Sequence, residues 1–83
     1  MNKKQMIQIV KDILRQKHED FCYDNDTNLI DAGILDSLEI VEMILEIENI
    51  LGIEIDLELI TLENFVSLDA IAEMLLRLTV KDD

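Results

Sequence analysis

The longest amphipathic stretch of the chain is residues 36–52, DSLEIVEMILEIENILG. Its apolar side chains recur every three or four positions, a spacing that predicts an α-helix. Asp36 followed three positions later by Glu39 has the form of a capping box, in which the aspartate accepts hydrogen bonds from first-turn amides. Gly52 suits a left-handed C-terminal cap. The helix is therefore predicted to begin at Asp36 and to end at Gly52.

Three bands of side chains divide the surface of this predicted helix at about 100° per residue. An apolar band, expected to face the core, contains Ile40, Ile44, Ile47 and Leu51, flanked by Met43 and Ile50. A polar stripe, expected to face water, contains Glu39, Glu42, Glu46 and Asn49. A second apolar band beside the stripe contains Leu38, Val41 and Leu45, with Glu48 along its edge. This second band is either exposed for docking or packed under a neighbouring loop, and periodicity leaves both open.

A first helix and a long loop precede this stretch. Apolar residues at spacings of three and four predict an amphipathic helix over residues 2–17. Residues 18–36 break that period and contain the turn-forming run DNDTN at 24–28 together with Gly33. We therefore expect a long ordered loop. Five apolar residues are expected to hold it to the core: Phe21, Leu29, Ile30, Ile34 and Leu35.

Short elements follow the central helix. Residues 53–56 and 64–66 are predicted to be connectors, and residues 57–63 a short helix or turn between them. Ser67 is predicted to cap a last amphipathic helix. The final residues, 81–83, are expected to form a frayed tail.

Size and composition limit the class of protein. The chain has 83 residues with 49% hydrophobic content, two Gly, no Pro and no Trp, which predicts a single all-α domain over residues 1–83. Seven basic residues against nineteen acidic ones give a net charge of −12, which disfavours nucleic acid and anionic membranes and favours basic protein surfaces. We find neither a membrane-spanning apolar run nor a signal-peptide core, and therefore expect a cytoplasmic protein. Cys22, the only cysteine, is expected to be a buried or half-buried apolar residue.

Catalytic and metal-binding functions are disfavoured by the residue inventory. His18 is the only histidine and no Gly-x-Ser-x-Gly motif surrounds Ser37, so we expect a protein without catalytic residues. His18 is expected to be a solvated residue at a helix end. Residues 24–35 begin like a calcium-binding EF-hand loop but place Leu29 and Leu35 where glycine and the bidentate glutamate should stand. We therefore expect no metal site.

Residues 33–39, GILDSLE, resemble the phosphopantetheine attachment motif of acyl carrier and peptidyl carrier proteins, whose centre is Asp-Ser-Leu. The resemblance covers nearly all of residues 3–80. It includes the segments NLID at 28–31, IENILGIEI at 47–55 and NFVSLDAI at 64–71. It implies a four-helix bundle with a short third helix and a long loop between helices one and two.

The resemblance also implies roles for particular residues. Ser37 would carry 4'-phosphopantetheine covalently, transferred from coenzyme A by a phosphopantetheinyl transferase, and Asp36 matches the acid that precedes this serine. The positions that match the family's partner-contacting residues are Leu38, Glu39, Val41, Glu42, Leu45 and Glu48. The implied partners are the transferase, an acyl- or aminoacyl-loading ligase and downstream acyl-processing enzymes with basic docking surfaces. We expect a monomeric carrier, not an enzyme.

The cargo follows less directly from the resemblance. The first prediction is a free-standing acyl carrier protein of fatty-acid-like, polyketide or specialised lipid biosynthesis, because Leu38-Glu39 and the glutamate-rich second helix resemble acyl carriers. The alternative is an aminoacyl or D-alanyl carrier loaded by an adenylating ligase, since Ile34-Leu35 and Asn64-Phe65 resemble that group. The proline that often follows the Gly-Ile-Glu-Ile connector in the family is absent, and Asp56-Leu57 stands in its place. An acidic helical interaction module without a prosthetic group is the alternative from another class.

Overall fold

A computed structural model of the chain describes residues 2–79, and every regular element in that range is helical. The helices are α1 (Lys3–Arg15), α2 (Ser37–Leu51), α3 (Leu62–Phe65) and α4 (Leu68–Thr79), with a 3-10 turn at Leu57–Leu59 between α2 and α3. This arrangement confirms the predicted all-α bundle with a short third helix and a long loop after the first. The expected tail, residues 81–83, lies outside the described residues. Between residues 2 and 79 no helix has the length and apolar character required to cross a bilayer.

The ends of α2 follow from its local sequence. The Asp36 side chain caps the helix by accepting a hydrogen bond of 2.8 Å from the Glu39 amide. Only this half of the predicted capping box forms, because the Glu39 carboxylate turns towards His18 instead. Gly52 ends the helix in the left-handed region, with φ 66°, and its amide donates to the Glu48 carbonyl. A side chain with a Cβ would be strained in that conformation, so the glycine stops the helix.

The core lies between α1 and α4, the two helices that pack most extensively, and extends under α2 and the long loop. The largest side chains with almost no exposed surface are Met6, Val10, Leu29, Ile47, Phe65, Leu68, Ile71, Met74 and Leu75. Lys3 adds a polar link, since its ammonium lies 3.3 Å from both Asp69 and Glu73 of α4. Hydrogen bonds to Glu73 and then to Asp69 raise the pKa of Lys3 above its ordinary value. The pair is exposed, so it contributes little to stability.

The loop between α1 and α2 is ordered by backbone hydrogen bonds and by buried side chains. The Leu29 amide donates to the Val66 carbonyl at 2.7 Å, and the Asp69 amide donates to the Asn25 carbonyl at 3.0 Å, so the end of α3 and the start of α4 hold the loop. Of the five apolar residues expected to hold it, Phe21, Leu29, Ile34 and Leu35 are buried, and Ile30 is half-buried against the core. The expectation for Cys22 is wrong, because the residue is exposed on this loop.

The predicted connector at residues 64–66 is wrong for its first two residues. Thr61 caps a short α3 by accepting from the Asn64 amide at 3.3 Å, and the Asn64 side chain donates to the Leu59 carbonyl at 2.7 Å. Phe65, the last residue of α3, is completely buried, and this burial fixes the turn against α4. Ser67 acts as predicted, since its hydroxyl accepts from the Ala70 amide at 3.1 Å at the start of α4.

We expect the melting temperature to rise with ionic strength. A net charge of −12 on 83 residues makes the folded chain repel itself, and salt at about 0.15 M shortens the reach of exposed charges to about 8 Å. Thermal denaturation followed by circular dichroism, in sodium chloride from low to moderate concentration, measures the effect. A melting temperature that stays constant or falls as salt is added would contradict the prediction.

Candidate functional site

Ser37 occupies the first position of α2 and is exposed to solvent. The preceding turn brings the chain back through Gly33, whose φ of 77° lies in the left-handed region. Asp36 then caps the helix, so Ser37 is held at the positive end of the dipole of a 15-residue helix. Within residues 2–79 no side chain hydrogen-bonds to the Ser37 hydroxyl. The hydroxyl is therefore available to another molecule.

The amides beside Ser37 fit a phosphate group. The first amides of an α-helix have no partner inside the helix and can bind an anion. The Asp36 side chain accepts a hydrogen bond only from the Glu39 amide. The Asp36 backbone carbonyl accepts one from the Ile40 amide at 2.9 Å. The amides of Ser37 and Leu38 donate no hydrogen bond to any of the described residues. A phosphodiester on the Ser37 oxygen would thus lie next to two free donors.

The apolar strip, which we define as Leu38, Val41 and Leu45, is exposed. The relative solvent exposure of these residues is 66%, 50% and 62%. The strip begins next to Ser37 and continues along α2 for two turns. Periodicity left open whether this strip is exposed or packed under the loop. The strip is exposed, so the alternative of packing under the loop is wrong.

The opposite face of α2 packs into the core largely as predicted. Ile40, Met43, Ile44 and Ile47 are buried, and Leu51 is half-buried. Ile50 departs from the prediction, since 49% of its surface is exposed at the edge of the band.

The polar stripe of α2 is only partly free, contrary to expectation. Glu42 forms an ion pair with Lys17, and the Glu39 carboxylate lies 2.9 Å from Nε2 of His18. Both glutamates are half-buried as a result. The cause is that α1 ends at Arg15 and the following turn directs Lys17 and His18 onto α2. The interpretation of His18 as a solvated residue is therefore wrong.

The remaining polar positions of α2 differ in their surroundings. Glu46 and Asn49 are exposed, as predicted. The Glu48 carboxylate accepts a hydrogen bond of 2.9 Å from the Ile55 amide, so this residue fastens the connector after Gly52 to the helix. Glu48 is half-buried by this contact and thereby has a structural role that sequence reasoning did not anticipate.

A groove with a volume of about 370 Å³ lies between the end of α1 and the polar stripe of α2. Apolar side chains form its floor, among them Ile13, Leu14, Leu35 and Met43. Charged side chains of both helices form its rim, including the two paired glutamates. Over residues 2–79 the structure contains no group of three or more His, Cys, Asp or Glu placed to hold a metal ion.

The chain is similar to a family model and to two curated proteins. A family model described as a phosphopantetheine attachment site matches residues 4–75. Two curated relatives from Lactiplantibacillus plantarum, D-alanyl carrier protein 1 and D-alanyl carrier protein 2, are each 51% identical to this chain over 37 residues. The matched residues make up 45% of this chain and 46% of each relative, so the chain spans about half the length of the curated relatives it matches. No solved structure matches the chain significantly.

Proposed function

Because the chain belongs to the phosphopantetheine attachment-site family, we propose that it is a carrier protein whose 4'-phosphopantetheine is joined to Ser37. The observation that carries this proposal is the exposed Ser37 hydroxyl at the start of α2, beside two free backbone amides. Ser37 also stands at the centre of the Asp-Ser-Leu sequence, within the residues that the family model matches. When attached, the arm supplies a terminal thiol that can hold a carboxylic or amino acid as a thioester.

The chain itself has a presenting role in this proposal. Asp36 and the first turn of α2 hold the Ser37 oxygen outward, and the amides of Ser37 and Leu38 stabilise the negative charge of the phosphodiester. The transferase supplies the base that takes the proton of the Ser37 hydroxyl, since no described residue of this chain hydrogen-bonds to that hydroxyl. The chain acts as a substrate for other enzymes, while reactivity belongs to the cofactor.

We propose an amino acid as cargo, and D-alanine as the first candidate. Two observations support this choice: the names of the two curated relatives, and the Ile34-Leu35 pair before Asp36, which resembles aminoacyl carriers. The loading partner would then be an adenylating ligase. A fatty-acyl cargo is the second candidate, supported by the family match and the glutamate-rich α2. Because coenzyme A donates the arm, both candidates favour a cytoplasmic location.

The cargo proposal predicts which ligase loads the protein. The holo protein, incubated with ATP, D-alanine and an adenylating D-alanine ligase, should gain the mass of one alanyl group, and hydroxylamine should remove it as expected for a thioester. Intact-mass spectrometry measures both steps. The same assay with a fatty acid and an acyl-activating ligase should leave the mass unchanged.

Two controls make the outcome specific. Ser37→Ala protein should gain no mass under any of these conditions, and replacement of D-alanine by L-alanine tests stereochemical choice by the ligase. Efficient loading of a fatty acyl group, with no loading of D-alanine, would overturn the aminoacyl proposal and favour the second candidate.

A further inference from the structure

Two basic side chains at the end of α1 contact two glutamates of α2. The Lys17 ammonium pairs with Glu42, and Nε2 of His18 lies 2.9 Å from Glu39. The side chains of Lys17 and Glu42 retain 54% and 44% of their exposure, so a larger molecule could reach the pair. Both contacts stand at the rim of the groove between α1 and α2.

We propose that Lys17 and His18 are specificity determinants for partner docking. They pair with Glu42 and Glu39, the acidic residues of α2 that a basic partner would otherwise contact. The inference rests on the proposed carrier function and on the expectation, implied by the family resemblance, that Glu39 and Glu42 contact partners. A partner that places a lysine or arginine on Glu42 must first displace the Lys17 ammonium, and one that does so on Glu39 must displace the His18 imidazole. The displacement reduces the net free-energy gain from that contact, and the charge of Lys17, which stays nearby, repels the partner's cation.

The same geometry indicates which partner surface fits best. Glu46 is exposed and forms no ion pair with any residue between 2 and 79, so it can accept a basic residue without competition. The apolar strip is likewise uncovered. The best partner surface therefore carries an apolar contact for the strip and a cation opposite Glu46. A strongly basic partner surface whose contacts depend on Glu39 and Glu42 should bind less tightly.

The test compares Lys17→Gln with Lys4→Gln, a matched control. Glutamine keeps much of the aliphatic stem while removing the charge, and Lys4 is an exposed lysine of α1 that makes no ion pair within the described residues. With a transferase whose docking surface is basic, Lys17→Gln should lower KM for the carrier about two- to fivefold at low salt and leave kcat unchanged. Lys4→Gln, with the same net charge, should change KM less than Lys17→Gln does.

A double substitution separates competition from a change in structure. In a Glu42→Gln background the further change Lys17→Gln should have no effect on KM, because the glutamate over which they compete is gone. His18→Ala, which removes the side chain that contacts Glu39, should also lower KM, and its effect should disappear in a Glu39→Gln background. Moderate salt should shrink all of these differences. Melting temperatures establish that each variant is folded at the assay temperature.

The results distinguish this inference from the proposed function. If the transferase modifies wild type but Lys17→Gln behaves like Lys4→Gln, or shows a raised KM, the inference is overturned while the carrier function stands. Persistence of the Lys17→Gln effect in the Glu42→Gln background would overturn it as well. If wild type itself is never modified, the proposed function has failed first.

Discussion

Replacement of Ser37 by alanine is expected to abolish modification of the protein completely while leaving its fold intact. The hydroxyl is the proposed attachment atom, and no described residue hydrogen-bonds to it, so the change removes no internal hydrogen bond. Alanine also favours the first turn of a helix at least as well as serine does. Incubation with coenzyme A and a promiscuous transferase, followed by intact-mass spectrometry, should show no added mass on Ser37→Ala.

Ser67 provides a matched control, because the chain has only two serines. Its hydroxyl accepts from the Ala70 amide, so Ser67→Ala should lower the free energy of unfolding by about 0.5 to 2 kcal/mol. The transferase should nevertheless modify Ser67→Ala at the wild-type rate. Urea denaturation measures the first effect and mass spectrometry the second. Addition of the pantetheine mass to Ser37→Ala would show that the arm is attached elsewhere.

The helices that local signals define were predictable from the sequence. Asp36 and Gly52 bound α2 because a side-chain cap and a left-handed glycine act within one turn of the helix. The cap at Ser67 is local in the same sense. The exact course of residues 57–66 was not predictable, since α3 has only four residues and depends on the burial of Phe65 against α4. Helices so short are not stable without such contacts.

The candidate site was predictable only in part. Ser37 and its exposure follow from the motif and from the helix start, both of which are local. The contacts of Lys17 and His18 join residues far apart in sequence, and both residues follow the end of α1, where helical periodicity no longer indicates direction. The bond from the Ile55 amide to Glu48 likewise depends on how the chain turns after α2. Helical periodicity therefore could not show which glutamates of α2 are free and which contact other parts of the chain.

The cargo is the least predictable feature for a physical reason. In the proposed function the motif around Ser37 specifies where the arm is attached, and the family match extends to this attachment chemistry but not to the cargo. Under that proposal we expect cargo choice to depend on which ligase docks, and hence on a few exposed side chains of α2 and its neighbours. Ile34 and Leu35, the pair that resembles aminoacyl carriers, are buried, so they cannot themselves contact a ligase. Any influence of these two residues on cargo choice would therefore act through the position of Ser37.

Leu45 allows a proposed docking role of the apolar strip to be tested separately from the proposed attachment atom, the Ser37 oxygen. Leu45 lies two turns along α2 from Ser37, and 62% of its surface is exposed. Burial of a leucine side chain contributes about 1.5 to 3 kcal/mol. If the transferase covers the exposed part of Leu45, then Leu45→Ala should reduce kcat/KM for Ser37 modification about tenfold. The stability of Leu45→Ala should change by less than about 0.5 kcal/mol, because the change is on the surface and alanine favours helices.

Leu75→Ala is the matched change in the core and should show the opposite pattern. Leu75 of α4 is completely buried, and its truncation should cost about 2 to 5 kcal/mol through lost burial and a cavity. That loss is a large part of the stability expected for a domain of this size. At a temperature where Leu75→Ala remains folded, its surface is unchanged and its modification rate should be close to that of wild type. If Leu45→Ala were modified as fast as wild type at both low and moderate salt, the apolar strip would not be the docking surface for that transferase, and recognition would have to rely on the region around Ser37.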